Sequence, residues 1–178
     1  PFGFADFFAD GDTVRVARPV AIAQTVGGLD DQVAVLRMRQ GGENTLQLTV
    51  YKVDDLSGTI DGVAPGHGAY AGLAQNRAYH TDNGLTGIIG PGYGQYKQVF
   101  LTGIDAGDII ALRLDNLTTG STYWSFGGAN DDNVGHIWNY GFNTWGFEDT
   151  HGGGDRDYND LIALFDFTSA YGNGYLIS

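Results

Sequence analysis

Thr45-Leu46-Gln47-Leu48-Thr49-Val50-Tyr51 places an apolar side chain at every second position. Successive side chains of an extended chain point to opposite faces, so Leu46, Leu48 and Val50 share one side. This is the pattern of a strand with one face in a core. Related runs lie on either side of it: Thr13 to Arg18, Gln32 to Met38, Gln95 to Thr102, Asp108 to Leu114, Ser121 to Phe126 and Leu161 to Phe167. Gly, Asn and Asp punctuate them, the residues that turns require. The pattern predicts an all-β fold, an antiparallel β-sandwich of jelly-roll-like form, built as one domain over residues 1–178. Only the Ala-rich stretch from Ala69 to Tyr79 suggests a short helix. Residues 54–68 and 127–160 are the longest stretches without strand patterning, and long loops on a rigid sandwich commonly carry function.

Composition narrows the functional classes. The 178 residues include 21 Asp and Glu against 9 Lys and Arg, a formal charge of -12, which repels phosphate backbones and argues against nucleic-acid partners. There is no cysteine, so no disulfide stabilises the fold. No apolar run is long enough to span a bilayer as a helix, and the N-terminal region carries Asp6, Asp10 and Asp12 where a secretion signal would be basic and then apolar. The 29 glycines lack a period of three, so they read as turn residues and not as a collagen repeat.

The acid excess is concentrated. Six of the sixteen residues from Trp145 to Asp160 are Asp, Glu or Asn: Glu148, Asp149, Asp155, Asp157, Asn159 and Asp160. They flank Gly152-Gly153-Gly154 and abut the apolar run that begins at Leu161. Like charges packed against a core strand call for a neutralising cation, and all-oxygen ligands favour calcium. Asp155, Asp157 and Asn159 are spaced i, i+2, i+4, as the first ligands of an EF-hand loop are. The EF-hand itself fails, because Asp160 stands where that loop needs glycine and Asp166 falls within a strand. Glu148 and Asp149 can fold back across the glycine turn to close a different kind of coordination sphere. His136 and His151 are near, but without cysteine and among so many oxygens zinc fits less well.

Asn130 and Asp131, within Asn130-Asp131-Asp132-Asn133, form a second acidic group. They either hold a further ion, complete the first site, or make an ordinary polar turn. Asp54, Asp55 and Asp61 read as a hairpin loop with Gly58 and Gly62. The stretch Gly135 to Trp145 is rich in glycine and aromatics, and a bound ion would order it and present Trp138 and Tyr140 to a ligand.

Trp-Gly-Phe-Glu-Asp at 145–149, followed by Gly-Gly-Gly-Asp-Arg-Asp-Tyr-Asn-Asp-Leu at 152–161, resembles the signature of a calcium-dependent domain near the C-termini of large bacterial surface and secreted proteins. Many of these are adhesins of the repeats-in-toxin type, exported by type I secretion. The resemblance extends through Phe126 to Asp131 and His136, and more loosely through Asn44 and the stretch from Tyr51 to Gly62. It implies an extracellular or cell-surface β-sandwich with Ca2+ held by Glu148, Asp149, Asp155, Asp157 and Asp160. Similar adhesin modules bind peptide or carbohydrate ligands near a calcium-associated pocket. Gly174 to Ser178 is similar to the apolar ending of a type I substrate, and equally to an edge strand.

No Gly-x-Ser-x-Gly elbow and no phosphate-binding glycine loop occurs in the sequence. The carboxylates crowd into one loop and look better used as ligands than as a glycosidase pair. The expected function is a calcium-dependent binding module of a surface adhesin, not an enzyme. The alternative is a calcium-stapled structural or self-associating module.

Overall fold

The computed structural model describes residues 20–25, 32–105, 107–141, 143–166 and 174–177. Twelve strands and one short helix appear among them: β1 (Val20–Thr25), β2 (Gln32–Gln40), β3 (Leu46–Val53), α1 (Tyr70–Asn76), β4 (His80–Thr81), β5 (Ile88–Ile89), β6 (Tyr96–Ile104), β7 (Ile109–Asn116), β8 (Ser121–Trp124), β9 (Ile137–Gly141), β10 (Thr144–Phe147), β11 (Leu161–Asp166) and β12 (Gly174–Ile177). They form two six-stranded sheets. One runs β12-β1-β7-β3-β5 with β8 also paired to β7, and the other runs β4-β6-β2-β11-β10-β9. Every pairing between these strands is antiparallel. The fold is an all-β sandwich, and among the described residues no helix is long and apolar enough to cross a membrane.

Alternation explains the layers. Leu46, Leu48 and Val50 of β3 meet Leu36 and Met38 of β2, Leu101 of β6, and Leu161, Ala163 and Phe165 of β11 in the core between the sheets. The opposite face of β3 is not solvated. Tyr51 and Val53 join Ile60, Tyr70, Ala74 and Phe126 in a second apolar cluster, closed by α1 and the loop before it. Gly58 is required there, because a Cβ at that position would stand 2.1 Å from the Phe126 ring.

The predicted strands from Gln32 onward are observed, and the helix occupies the middle of the stretch suggested for it. Thr13 to Arg18 lies outside the described residues. Gly174–Ile177 is an edge strand paired with β1. The stretch 127–160 is not continuous loop, because it contains β9 and β10, which pair as a hairpin. Gly141 and Gly146 interrupt the apolar alternation there, which hides two short strands from period counting. This hairpin continues the sheet from β11 and carries the acidic segment on its end.

Candidate metal centre

Glu148 follows the last residue of β10, and its N–H donates to the His136 carbonyl at 2.9 Å. The residue is only 1% exposed. One carboxylate oxygen, Oε1, accepts the Tyr158 N–H at 2.6 Å. The other, Oε2, has no hydrogen-bond partner among the described residues. It points toward Gly154, where a Cβ would sit 2.6 Å from it. Glu148, Asp155 and Asp157 each bring an oxygen within 4.8 Å of the other two.

The loop is wound to achieve this. Arg156 and Tyr158 both adopt left-handed backbone, with φ of 61° and 53°. Asx contacts link the intervening residues: Asp157 N–H donates to Asp155 Oδ1 at 3.4 Å and Asn159 N–H to Asp157 Oδ1 at 3.1 Å. The Asn159 amide also donates to Asp157 Oδ2. Asn159 thus braces Asp157. The loop then crosses β10 at Gly146, where a Cβ would lie 2.1 Å from the Tyr158 carbonyl oxygen.

Asp149 and Asp160 are brought together beside this group and not within it. Asp160 Oδ2 accepts the Asp149 N–H at 2.9 Å. The Asn44 amide spans both Asp149 oxygens at 3.2 Å each, and Asn116 donates to the Asp149 carbonyl at 3.0 Å. Gly42 roofs the pair: a Cβ there would stand 2.9 Å from Asp160 Oδ1 and 3.2 Å from Asp149 Oδ2.

The electrostatics are those of uncompensated charge. Burial pushes the Glu148 carboxyl up to about 7; the Tyr158 N–H opposes this and the charges of Asp160, Asp155 and Asp157 add to it. Asp160 is raised as well, by burial first and then by Asp149, Asp157 and Asp155 against the Asp149 N–H. A cation among these oxygens would reverse both shifts.

The second acidic group is divided. Asn130 is buried and fully engaged by backbone: its Oδ1 accepts Trp124 N–H at 2.6 Å, and its amide donates to the Val134 carbonyl at 2.8 Å. It fixes the turn that leads to Val134. Asp131 falls with Asp132 and exposed His151 in a separate cluster whose ligand atoms lie within 4.8 Å. Asp132 is committed elsewhere. Its Oδ2 meets His136 Nε2 at 2.8 Å and accepts Gly152 N–H at 2.8 Å, and its Oδ1 accepts Val134 N–H at 3.0 Å. Burial raises the Asp132 carboxyl, but the Gly152 N–H, His136 and the Val134 N–H together hold it down at about 2. His136 is completely buried, stacks on Tyr123 at 3.9 Å, and donates from Nδ1 to the Glu148 carbonyl at 2.9 Å. Asp132 and His136 therefore latch the 130–136 turn to the Glu148 strand end.

The aromatic pair departs from expectation. Trp138 is 4% exposed, its ring 6.1 Å from that of Tyr158. It is a packing residue under the acidic loop and presents nothing to solvent. The reason is register: it pairs with Gly146, the position the loop crosses. Tyr140 is exposed, yet its hydroxyl donates to the Asp157 carbonyl at 3.0 Å and holds the loop. Asp54 and Asp61 pair with Arg77, and Asp55 caps its own loop through Ser57 and Thr59, as a hairpin loop would.

Residues 101–168 match the family model described as a domain of unknown function (DUF4114). The matched span contains β7 to β11 and every acidic residue of both clusters. No curated protein and no solved structure matches the chain. Sequence reasoning missed the roles of Asp132, His136, Gly42 and Gly146. Gly146 alone carried a local signal, a glycine interrupting an aromatic strand, which marks a close backbone approach.

Proposed function

We propose that the chain is a calcium-binding β-sandwich module of a bacterial surface adhesin, in which the ion fastens the 148–160 loop to the sheet and makes ligand binding calcium-dependent. One observation carries it. A buried carboxylate, Glu148, brings an oxygen within 4.8 Å of oxygens of Asp155 and Asp157, and among the described residues no cationic side chain pairs with any of the three. A buried carboxylate without a counter-charge is costly, and a hard divalent cation is the economical compensation in an all-oxygen site. Flexible loop oxygens suit the variable coordination of calcium better than the strict octahedron of magnesium.

The resemblance to adhesin domains supports placement outside the cell and a peptide or carbohydrate as ligand. The burial of Trp138 and the tethering of Tyr140 favour the second reading at those positions, a calcium staple without an aromatic platform. Isothermal titration of chelator-treated protein tests the proposal. Saturable calcium uptake that Glu148→Gln abolishes is the expected result; no uptake by the wild-type chain would overturn it.

A further inference from the structure

A pocket of about 210 Å³ opens beside the acidic loop, lined by Asn133, Val134, Gly135, Arg156 and Tyr158. Its walls come from two segments that the Asp132–His136 latch and the Tyr158 hydroxyl, donating to Gly135 O at 3.0 Å, hold together. The Arg156 stem lies along one wall: a Cβ on Gly153 would stand 3.1 Å from Val134 Cγ1 and 3.5 Å from Arg156 Nε. Arg156 is exposed, and its guanidinium has no hydrogen-bond or ion-pair partner among the described residues. Other basic side chains are engaged: Lys52 with Asp108, Arg77 with Asp54 and Asp61, Arg113 with Asp115, Lys97 with the Ile89 carbonyl, and Arg39 over the Tyr96 ring.

We infer that this pocket binds a small aliphatic carboxylate, its apolar body against Val134 and Tyr158 and its carboxylate on the Arg156 guanidinium. The inference rests on the calcium reading for its electrostatics. Arg156 sits between Asp155 and Asp157, and with Glu148 these carboxylates outweigh a single guanidinium. They repel an anionic ligand until a divalent cation neutralises them. A neutral ligand of the same shape feels no such barrier. The volume of about 210 Å³ admits a branched acid of about five carbons, and the open mouth leaves its carboxylate free to reach Arg156. The guanidinium presents a fork that matches a carboxylate, which a point charge does not reproduce.

The probes are isovalerate and its neutral amide, isovaleramide, titrated into the full chain with amide-resolved NMR, in saturating calcium and in excess chelator. With calcium, isovalerate is expected to shift residues 133–135 and 156–158 and to bind about tenfold tighter than isovaleramide, the difference of one charge-assisted contact. Arg156→Gln should erase that preference, and Arg156→Lys should restore part of it. In chelator the order of the two ligands should reverse. Equal binding of acid and amide in calcium, or no shifts at these residues in a sample shown by calorimetry to have taken up calcium, overturns the pocket. A preference for the acid that survives chelation supports the Arg156 site and overturns its coupling to calcium, whereas absent calcium uptake in calorimetry overturns the calcium reading, so the two fail separately.

Discussion

Among single residues, Glu148 and Asp132 behave in opposite ways. Glu148 is buried with no cation beside it, and Asp132, its side chain 4% exposed, accepts the Gly152 and Val134 N–H groups and contacts His136 Nε2. Glu148→Gln removes a repelled charge at constant shape. In chelator it should raise the melting temperature, by the few degrees that about 1–2 kcal/mol gives in a domain of this size. In calcium it should melt below wild type, because the ion is lost. Thermal denaturation in both media gives the two signs; a variant that is less stable in chelator contradicts the account of Glu148. Asp132→Asn should cost about 1.5–3 kcal/mol at neutral pH, the range for hydrogen bonds to a charged group. The pH dependence follows from the depressed carboxyl. Its folded value of about 2 lies below the ordinary 3.8, so its stabilisation is complete above 3.8 and vanishes as pH falls through 2. Urea titrations of wild type and variant should therefore converge in strong acid and separate above pH 4. A gap that is constant with pH would assign the loss to packing alone.

At the level of elements, the hairpin of β9 and β10 governs the site. Its register puts Trp138 opposite Gly146, and the acidic loop packs into the space that glycine leaves. Gly146→Ala would drive a methyl into the Tyr158 carbonyl. The expected cost is about 1–3 kcal/mol with a loss of calcium affinity of at least tenfold, read by calorimetry and urea unfolding on one sample. An unchanged affinity would detach the loop from the strand beneath it. This hairpin is also where the sequence was least legible. The long strands announce themselves, since β3 alternates from Leu46 to Val50 and β7 and β11 open on apolar runs of four and five residues. Ile137 to Gly141 and Thr144 to Phe147 are too short, and too often interrupted by glycine, for period counting. The acidic residues were legible as a group because charge clustering is local in sequence. Their partition was not: Asp149 turns toward Asn44 and Asp160, Asn130 toward backbone, and Asp131 toward His151, through contacts made across loops.

Over the whole molecule, a ligand that binds only the folded state stabilises all of it. At a hundredfold excess over its dissociation constant, calcium should add about 2.7 kcal/mol. The melting temperature should rise with calcium, rise less with magnesium and fall with chelator; superimposed curves would remove the ion from the account. The arrangement of the sandwich has a further consequence, for mechanical load. The first and last described strands, β1 and β12, are antiparallel neighbours at one sheet edge, with Ile22 opposite Ile177 and Thr25 opposite Gly174. Tension drawn through residues 20 and 177 pulls these partners apart from one end. The ladder then opens a rung at a time, like a zip, and its hydrogen bonds never share the force as they would in shear. Under load the edge strand yields first, at low force, while the sheet that carries the acidic loop, on the other side of the core, stays closed.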